Sequence, residues 1–249
     1  MVDLHCHILP CIDDGPQDVE GAVALVRKEL ADGVDTIAVT PHFIKPKQNI
    51  EDFCARRQKS LEVLQKALEK EEVKIGIVLG AEVALCVDLP QTERIERLLY
   101  AGTDFMLVEL PGEYYYDWIP ETLYQLRLMG ITPILAHIER CHYLIKETKN
   151  LCELVDSGCL AQMNAPFLLH SGLIEFPRIR RLMERRLAHL VATDSHSLAH
   201  RPPLLGEAME KIQKKWGKDA EKYFCENAQR VLGNQPVNEG LRGMACCDI

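Results

Sequence analysis

Nowhere does this sequence hold the roughly eighteen consecutive apolar residues that a bilayer-spanning helix needs. Its start offers no basic segment ahead of an apolar run, and His5 and His7 interrupt the only apolar stretch there. A secretory signal is therefore not expected either. There is no Cys-x-x-Cys pair among the ten cysteines. Most stand singly in apolar segments, as Cys152, Cys159 and Cys225 do. That points to the reduced thiols of a cytoplasmic protein and away from a disulfide framework. Cys246 and Cys247 are adjacent in a short polar tail and suggest no role. Proline and glycine are not in excess, so the composition is that of an ordinary globular chain. Positive charge is in deficit: 29 Lys and Arg face 37 Asp and Glu, a net charge of -8. This argues against a sequence-independent grip on nucleic acid.

What the chain does have is alternation. β-like runs stand at 2–5, 35–40, 74–83, 104–110, 132–138, 160–164 and 189–193. Between them lie segments of helical spacing. Val19, Val23, Val26 and Leu30 share one face, as do Leu61, Leu64 and Leu68, and Leu123, Leu126 and Met129. Gly33, Gly102, Gly130 and Gly158 each precede a strand, where helix stops belong. Strands alternating with helices imply a parallel sheet with crossover connections. Seven such units within 249 residues, without a linker, suit one (β/α) barrel. The pattern alone also permits an open doubly wound sheet.

Polar residues gather at the C-terminal ends of those strands. The first ends in His5-Cys6-His7, with Asp13 and Asp14 shortly after. "TIAVTPH" reaches His42, "IGIVLGAE" reaches Glu82 and "FMLVE" reaches Glu109. "PILAHIER" supplies His137 and Arg140, the sixth strand ends at Asn164, and "LVATDSH" supplies Asp194 and His196. Singly, each would be a turn or capping residue. In a (β/α) barrel these ends converge on one face, where active sites are built, so together they form a constellation. His142, His170 and His189 lack that context and read as structural.

His-x-His at a strand end puts two imidazoles on one side, within reach of one ion, and leaves Cys6 on the other as packing. Five histidines (His5, His7, His42, His137, His196) and four carboxylates (Asp14, Glu82, Glu109, Asp194) are too many for a single ion. They suit two or three, with bridging carboxylate or hydroxide. Imidazole and carboxylate without thiolate fit Mn²⁺, Fe or Zn²⁺ better than Ca²⁺ or a structural zinc. Three divalent ions outweigh four carboxylates, leaving a positive pocket suited to an anionic substrate. Arg140 and Arg201 each bring a planar fork of donors that matches phosphate oxygens, the plainer reading being a surface salt bridge.

These motifs, "DLHCHILPCIDDGP", "TPH", "GAE", "AHIER" and "TDSH" in that order, resemble the PHP (polymerase and histidinol phosphatase) superfamily of metal phosphoesterases. They are most similar to its bacterial tyrosine-protein phosphatase branch, encoded with capsule and exopolysaccharide genes. The resemblance implies a distorted (β/α)7 barrel, a single domain over 1–235 with a tail at 236–249. It implies three divalent ions, Mn²⁺ the first choice. One would take His5, His7, Glu82 and Asp194; a second Glu82 as bridge with Glu109 and His137; a third Asp14, His42 and His196. Asp13 could replace Asp14 or brace the turn. Arg140 and Arg201 would clamp the phosphate and, with Asp14, form the catalytic set.

The implied reaction is in-line attack by a hydroxide held between metals, with charge on the phosphoryl oxygens met by metals and arginines. A phenolate leaving group, with a pKa of about 10, needs little protonation. The implied partner is a phosphotyrosine protein, a tyrosine kinase of capsule synthesis. The thiol-based route needs Cys-x5-Arg, and the sixth residue is Ile12 after Cys6, Gln17 after Cys11, Ser60 after Cys54 and Glu147 after Cys141. The alternative substrate is a small phosphomonoester such as histidinol phosphate. Tyr114, Tyr115, Tyr116 and Trp118, following Glu109, either stack a phosphotyrosine ring, Tyr114 foremost, or pack the rim. A non-enzymatic scaffold would have lost ligands, and none is missing.

Overall fold

The computed structural model describes residues 1–172 and 175–237. Cys246, Cys247 and most of the expected tail lie outside the described residues. The strands are β1 (Val2–Cys6), β2 (Thr36–Val39), β3 (His42–Phe43), β4 (Gly76–Leu79), β5 (Glu82–Ala84), β6 (Phe105–Glu109), β7 (Thr132–Leu135), β8 (Leu160–Asn164) and β9 (Leu190–Ala192). All named pairs are parallel, in the orders β1-β2-β4 and β3-β5-β6-β7-β8-β9. Hydrogen bonds from Asp194 N to His5 O (2.7 Å) and from His7 N to Ser195 O (2.8 Å) join the β9 end to β1. Seven staves thus form a distorted (β/α)7 barrel, two of them broken.

The break between β4 and β5 has a physical cause. The run expected at 74–83 is interrupted at Gly80, where an added Cβ would stand 2.8 Å from the Tyr100 ring. Tyr100 is buried inside the barrel, its hydroxyl donating to Leu4 O at 2.8 Å. Only glycine lets the strand pass that ring. Beyond the break the stave resumes as β5, now paired with β3 where β4 was paired with β2.

A second irregularity sets the site. Between the pairs Asp3–Ile37 and Cys6–Val39, β1 advances three residues while β2 advances two. This bulge reverses the inward parity of β1. Val2 and Leu4 pack inside with Tyr100, Leu107 and Ile134. Past the bulge His5 and His7 face one another, and Cys6 joins the outer layer, its thiol against Ala38 O at 3.3 Å.

The outer layer comes from α1 (Val19–Ala31), α2 (Ile50–Lys70), α3 (Trp118–Leu128), α4 (His142–Ile145), α5 (Lys149–Asp156), α6 (Ala165–Leu169), α7 (Glu175–Glu184), α8 (Leu205–Trp216) and α9 (Lys218–Leu232). Asp18 caps α1 by accepting from Gly21 N, and Asn49 caps α2 by accepting from Glu51 N and Asp52 N, each satisfying otherwise orphaned donors. Val23, Val26, Leu61, Leu64, Leu68, Leu123 and Leu126 are buried as their spacing predicts. Met129 is not: it follows the last turn of α3 and is exposed, because helical periodicity ends where Gly130 takes a positive φ of 83°. Among the described residues no helix is long and apolar enough to cross a membrane.

Candidate metal centre

The barrel staves deliver their donors to one face. His5 lies in β1 and His7 just past it, Asp14 in the loop before α1, His42 in β3, Glu82 in β5 and Glu109 at the end of β6. His137 follows β7; Asp194 and His196 follow β9. His137 and Asp194 have φ of 30° and 53°, left-handed conformations that cost a non-glycine residue about 1 to 3 kcal/mol and cluster at functional sites.

Ligand atoms of His5, His7, Glu82 and Asp194 all lie within 4.8 Å of one another, as do those of His7, Asp14, His42 and His196, and of His42, Glu82 and Glu109. His137 Nε2 joins the third group, 2.7 Å from Glu82 Oε1 and 3.7 Å from Glu109 Oε1. All nine sequence-predicted donors therefore meet. Two are shared more widely than expected. His7 reaches both the first and second groups. His42 turns Nδ1 to Glu82 Oε2 (3.0 Å) and Nε2 to Asp14 Oδ1 (3.4 Å), so its ring spans two groups.

The arrangement fits cations. Two ligand atoms each about 2.1 Å from one ion and about 90–110° apart are about 3.0–3.4 Å from one another. His5 Nε2 and His7 Nε2 are 3.2 Å apart, and they lie 3.3 and 3.1 Å from Glu82 Oε2. Asp194 Oδ1 is 3.4 Å from His5 Nε2. Yet Glu82 Oε2 and Asp194 Oδ1, both buried, accept no hydrogen bond. Buried carboxylate oxygens are rarely left so; here they face a common centre together with imidazole nitrogens.

Two of the remaining ring nitrogens are held by carboxylate or carbonyl oxygens. His7 Nδ1 meets Asp13 Oδ2 at 2.8 Å, and His196 Nδ1 meets Asp194 O at 2.9 Å. Such contacts leave Nε2 for the centre, an arrangement typical of ligating histidines. Asp13 also accepts from Gly15 N at 3.1 Å and His42 N at 3.2 Å. It braces the turn, and Asp14 is the carboxylate that faces the histidines, 3.1 Å from His196 Nε2.

Charge follows this geometry. Burial opposes the charge on His5, but Glu82 and Asp194 outweigh it and push the imidazole up to about 9. His42 is likewise pushed up to about 9 against burial, chiefly by Glu82. Glu82 and Asp194 are held below the usual carboxylate range despite burial, His5 being the foremost cause for each. Burial and the neighbouring His7 push His196 down to about 4.

Arg140 Nη2 donates to Asp194 Oδ2. Arg201 Nη2 lies 2.5 Å from His196 Nε2 and 3.6 Å from Asp194 Oδ1. Both side chains remain partly open to solvent, 44% and 34% exposed, so each can meet an incoming anion. The loop of Arg201 is tied down, since its carbonyl accepts from His196 N (2.9 Å) and Ser197 N (3.2 Å). Tyr114 stands outside the donor cluster. It is 64% exposed, edge-on to Tyr116 at 6.4 Å, and Tyr116 stacks on Trp118 at 5.7 Å.

Sequence reasoning passed over Gln162 and gave Asn164 no role. Gln162 Oε1 meets His5 Nδ1 (3.1 Å) and accepts from His137 N (3.0 Å), and Gln162 Nε2 donates to Asn164 Oδ1 (2.8 Å). Asn164 Nδ2 donates to Asp194 Oδ2 at 3.0 Å. The available signal was two amides at i and i+2 in an otherwise apolar strand.

The model of the capsular polysaccharide synthesis family, CpsB/CapC, matches residues 1–233. Tyrosine-protein phosphatase CpsB of Streptococcus pneumoniae is 33% identical over 251 residues, spanning 95% of this chain and 100% of that protein. Tyrosine-protein phosphatase YwqE of Bacillus subtilis is 30% identical over 241 residues, spanning 95% and 93%. A chain from the crystal structures of YwqE from Bacillus subtilis and CpsB from Streptococcus pneumoniae, described as unique metal-dependent tyrosine phosphatases, superposes with a TM-score of 0.86. It has 29% identity and covers 95% of this chain and 96% of its own. The lactonase Lmo2620 from Listeria monocytogenes, at 12% identity and a TM-score of 0.51 over 95% and 92% of the chains, shares the fold alone. With nearly the whole chain matched in sequence and superposed in structure, this protein belongs to the capsular polysaccharide synthesis CpsB/CapC family.

Proposed function

We propose that this chain is a metal-dependent protein-tyrosine phosphatase acting in the cytoplasm on a phosphotyrosine protein of capsule or exopolysaccharide synthesis, a tyrosine kinase being the partner. One observation carries the chemistry: Glu82 Oε2 and Asp194 Oδ1 are buried without hydrogen bonds inside a ring of imidazoles. The phosphotyrosine substrate class is supported by the named activities of the relatives.

In this reading three divalent ions, Mn²⁺ for preference, are held by the nine donors. His5, His7, Glu82 and Asp194 hold the first. Glu82 would also help to hold a second, with Glu109 and His137. Asp14, His42 and His196 hold the third. When bound, such ions lower the pKa of a coordinated water to about 7 and so supply a nucleophile at neutral pH. The remaining work falls to the chain. Asp13 and the carbonyl of Asp194 orient His7 and His196. Arg140 and Arg201 bind the phosphoryl oxygens and meet the charge that grows on them. A phenolate leaves without a dedicated acid, since its pKa is about 10. Tyr114 contributes to holding the phosphotyrosine side of the peptide.

Turnover of phosphotyrosine peptide, phosphoserine peptide and histidinol phosphate, with metal content measured on the same protein, tests this. The phosphotyrosine peptide should be preferred, with activity lost on metal removal and retained after iodoacetamide. Inactivation by alkylation together with full activity after metal removal would reject the reading; preference for histidinol phosphate would reject its substrate class.

A further inference from the structure

We infer that Gln162 is a positioning residue of the metal centre, joined by Asn164 into a relay through which one ligand, Asp194, dictates which nitrogen of another, His5, carries the proton. The inference rests on the metal-centre reading above. Both amides are buried on β8 at i and i+2, so they share one side of the strand.

The polarity is forced step by step. An ionised carboxylate oxygen only accepts, so Asn164 must present Nδ2 to Asp194 Oδ2. Asn164 Oδ1 then faces Gln162 and accepts from its Nε2. That turns Gln162 Oε1 toward His5 Nδ1 and His137 N. A carbonyl oxygen only accepts, so His5 must hold a proton on Nδ1. Nε2 is then the nitrogen left for a cation at the centre, where His7 Nε2 stands 3.2 Å away. The backbone N–H of His137 is a donor in every state and locks Gln162 the same way round. Asp194 Oδ2 is engaged by Asn164 and Arg140, while Oδ1 accepts no hydrogen bond and is turned to the centre.

The relay also explains the choice of residue. Hydrophobic side chains would satisfy the burial of β8 equally well. An amide offers a donor and an acceptor in one fixed plane, which is what carrying polarity from an acceptor-only group to a donor requires. His5 and Asp194 come from the two ends of the barrel seam, and the β8 amides hold both in register.

Two measurements test this. The first is Mn²⁺ titration of metal-stripped protein, and the second is ¹⁵N–¹H NMR of the histidine rings in Zn²⁺-loaded protein. Gln162→Leu should weaken Mn²⁺ binding by about 10- to 100-fold and abolish the protected His5 Nδ1–H signal. Gln162→Glu keeps an acceptor toward His5 and His137; it should retain that signal and recover part of the affinity. Asn164→Ala should weaken binding by about tenfold and decides the matter if Gln162→Leu does not fold. Wild-type affinity in Asn164→Ala or Gln162→Leu, or a Gln162→Glu protein without the signal, would overturn the relay. A wild-type protein that binds no Mn²⁺ would instead remove the metal-centre reading beneath it.

Discussion

Glu82→Gln is the most informative single change. Glu82 is 1% exposed, and the substitution preserves its size while removing its charge. His5, His7 and His42 nitrogens stand 3.3, 3.1 and 3.0 Å from Oε2, and His137 stands 2.7 Å from Oε1. One substitution therefore touches four imidazoles and both ions that Glu82 is proposed to bridge. At free Mn²⁺ about 100 times Kd, binding stabilises a protein by about 2.7 kcal/mol. In a chain of this size each kcal/mol moves Tm by about 2–4 °C. We expect Mn²⁺ to raise the wild-type Tm by about 5–10 °C and the Glu82→Gln Tm by less than half as much, with metal content and turnover falling together.

The shift should also depend on pH. His5 and His42 are pushed up to about 9 in the metal-free fold, above an unfolded value of about 6.5. Their contribution to metal-free stability is complete below about pH 6.5 and is lost as pH rises through about 9. Cations compete with those protons, so the Mn²⁺-induced gain should grow across the same window. Calorimetry with and without Mn²⁺ at several pH values, beside elemental analysis, reads all of this. A folded Glu82→Gln protein with full metal content and an undiminished Tm gain would refute the reasoning.

Arg140→Ala should lower kcat/KM on a phosphotyrosine peptide by about a hundredfold, about 2.7 kcal/mol, while metal content holds. Arg140→Lys should recover only part, because an ammonium lacks the bidentate fork; wild-type kinetics in the alanine variant would remove Arg140 from the phosphate clamp. Arg201→Ala should cost a comparable factor, since its backbone carbonyl is tied to His196 N and Ser197 N, and the same kinetics would show whether it does. His189 is buried, accepts from Ala161 N through Nδ1 at 3.1 Å, and is pushed down to about 4 by burial. Its neutral form is favoured by folding, so stability is complete above about pH 6.5 and falls by the order of 3 kcal/mol as pH drops to about 4. A ring resonance of His189 titrating near pH 6.5 in the folded protein would contradict this.

The sequence by itself determined the class of fold and the donor list. Strand and helix periods are local properties, and a parallel barrel brings every strand end to one face, so residues at those ends could be grouped without coordinates. Tertiary structure decided what depends on contacts between distant segments. Asp13 and Asp14 are indistinguishable in sequence; only the approach of His7 and His42 makes Asp13 the brace. The sequence presents His42 as a single donor; the fold sets Glu82 and Asp14 against its two nitrogens. The break between β4 and β5 follows from the ring of Tyr100 lying against Gly80 across the barrel. Gln162 and Asn164 gain meaning only beside His5 and Asp194, 157 and 30 residues away in the chain. Strict alternation would have kept His5 and His7 on the side of β1 opposite Leu4; the bulge against β2 turns them inward. A bulge is a mismatch between two strands, and no single strand's pattern encodes it.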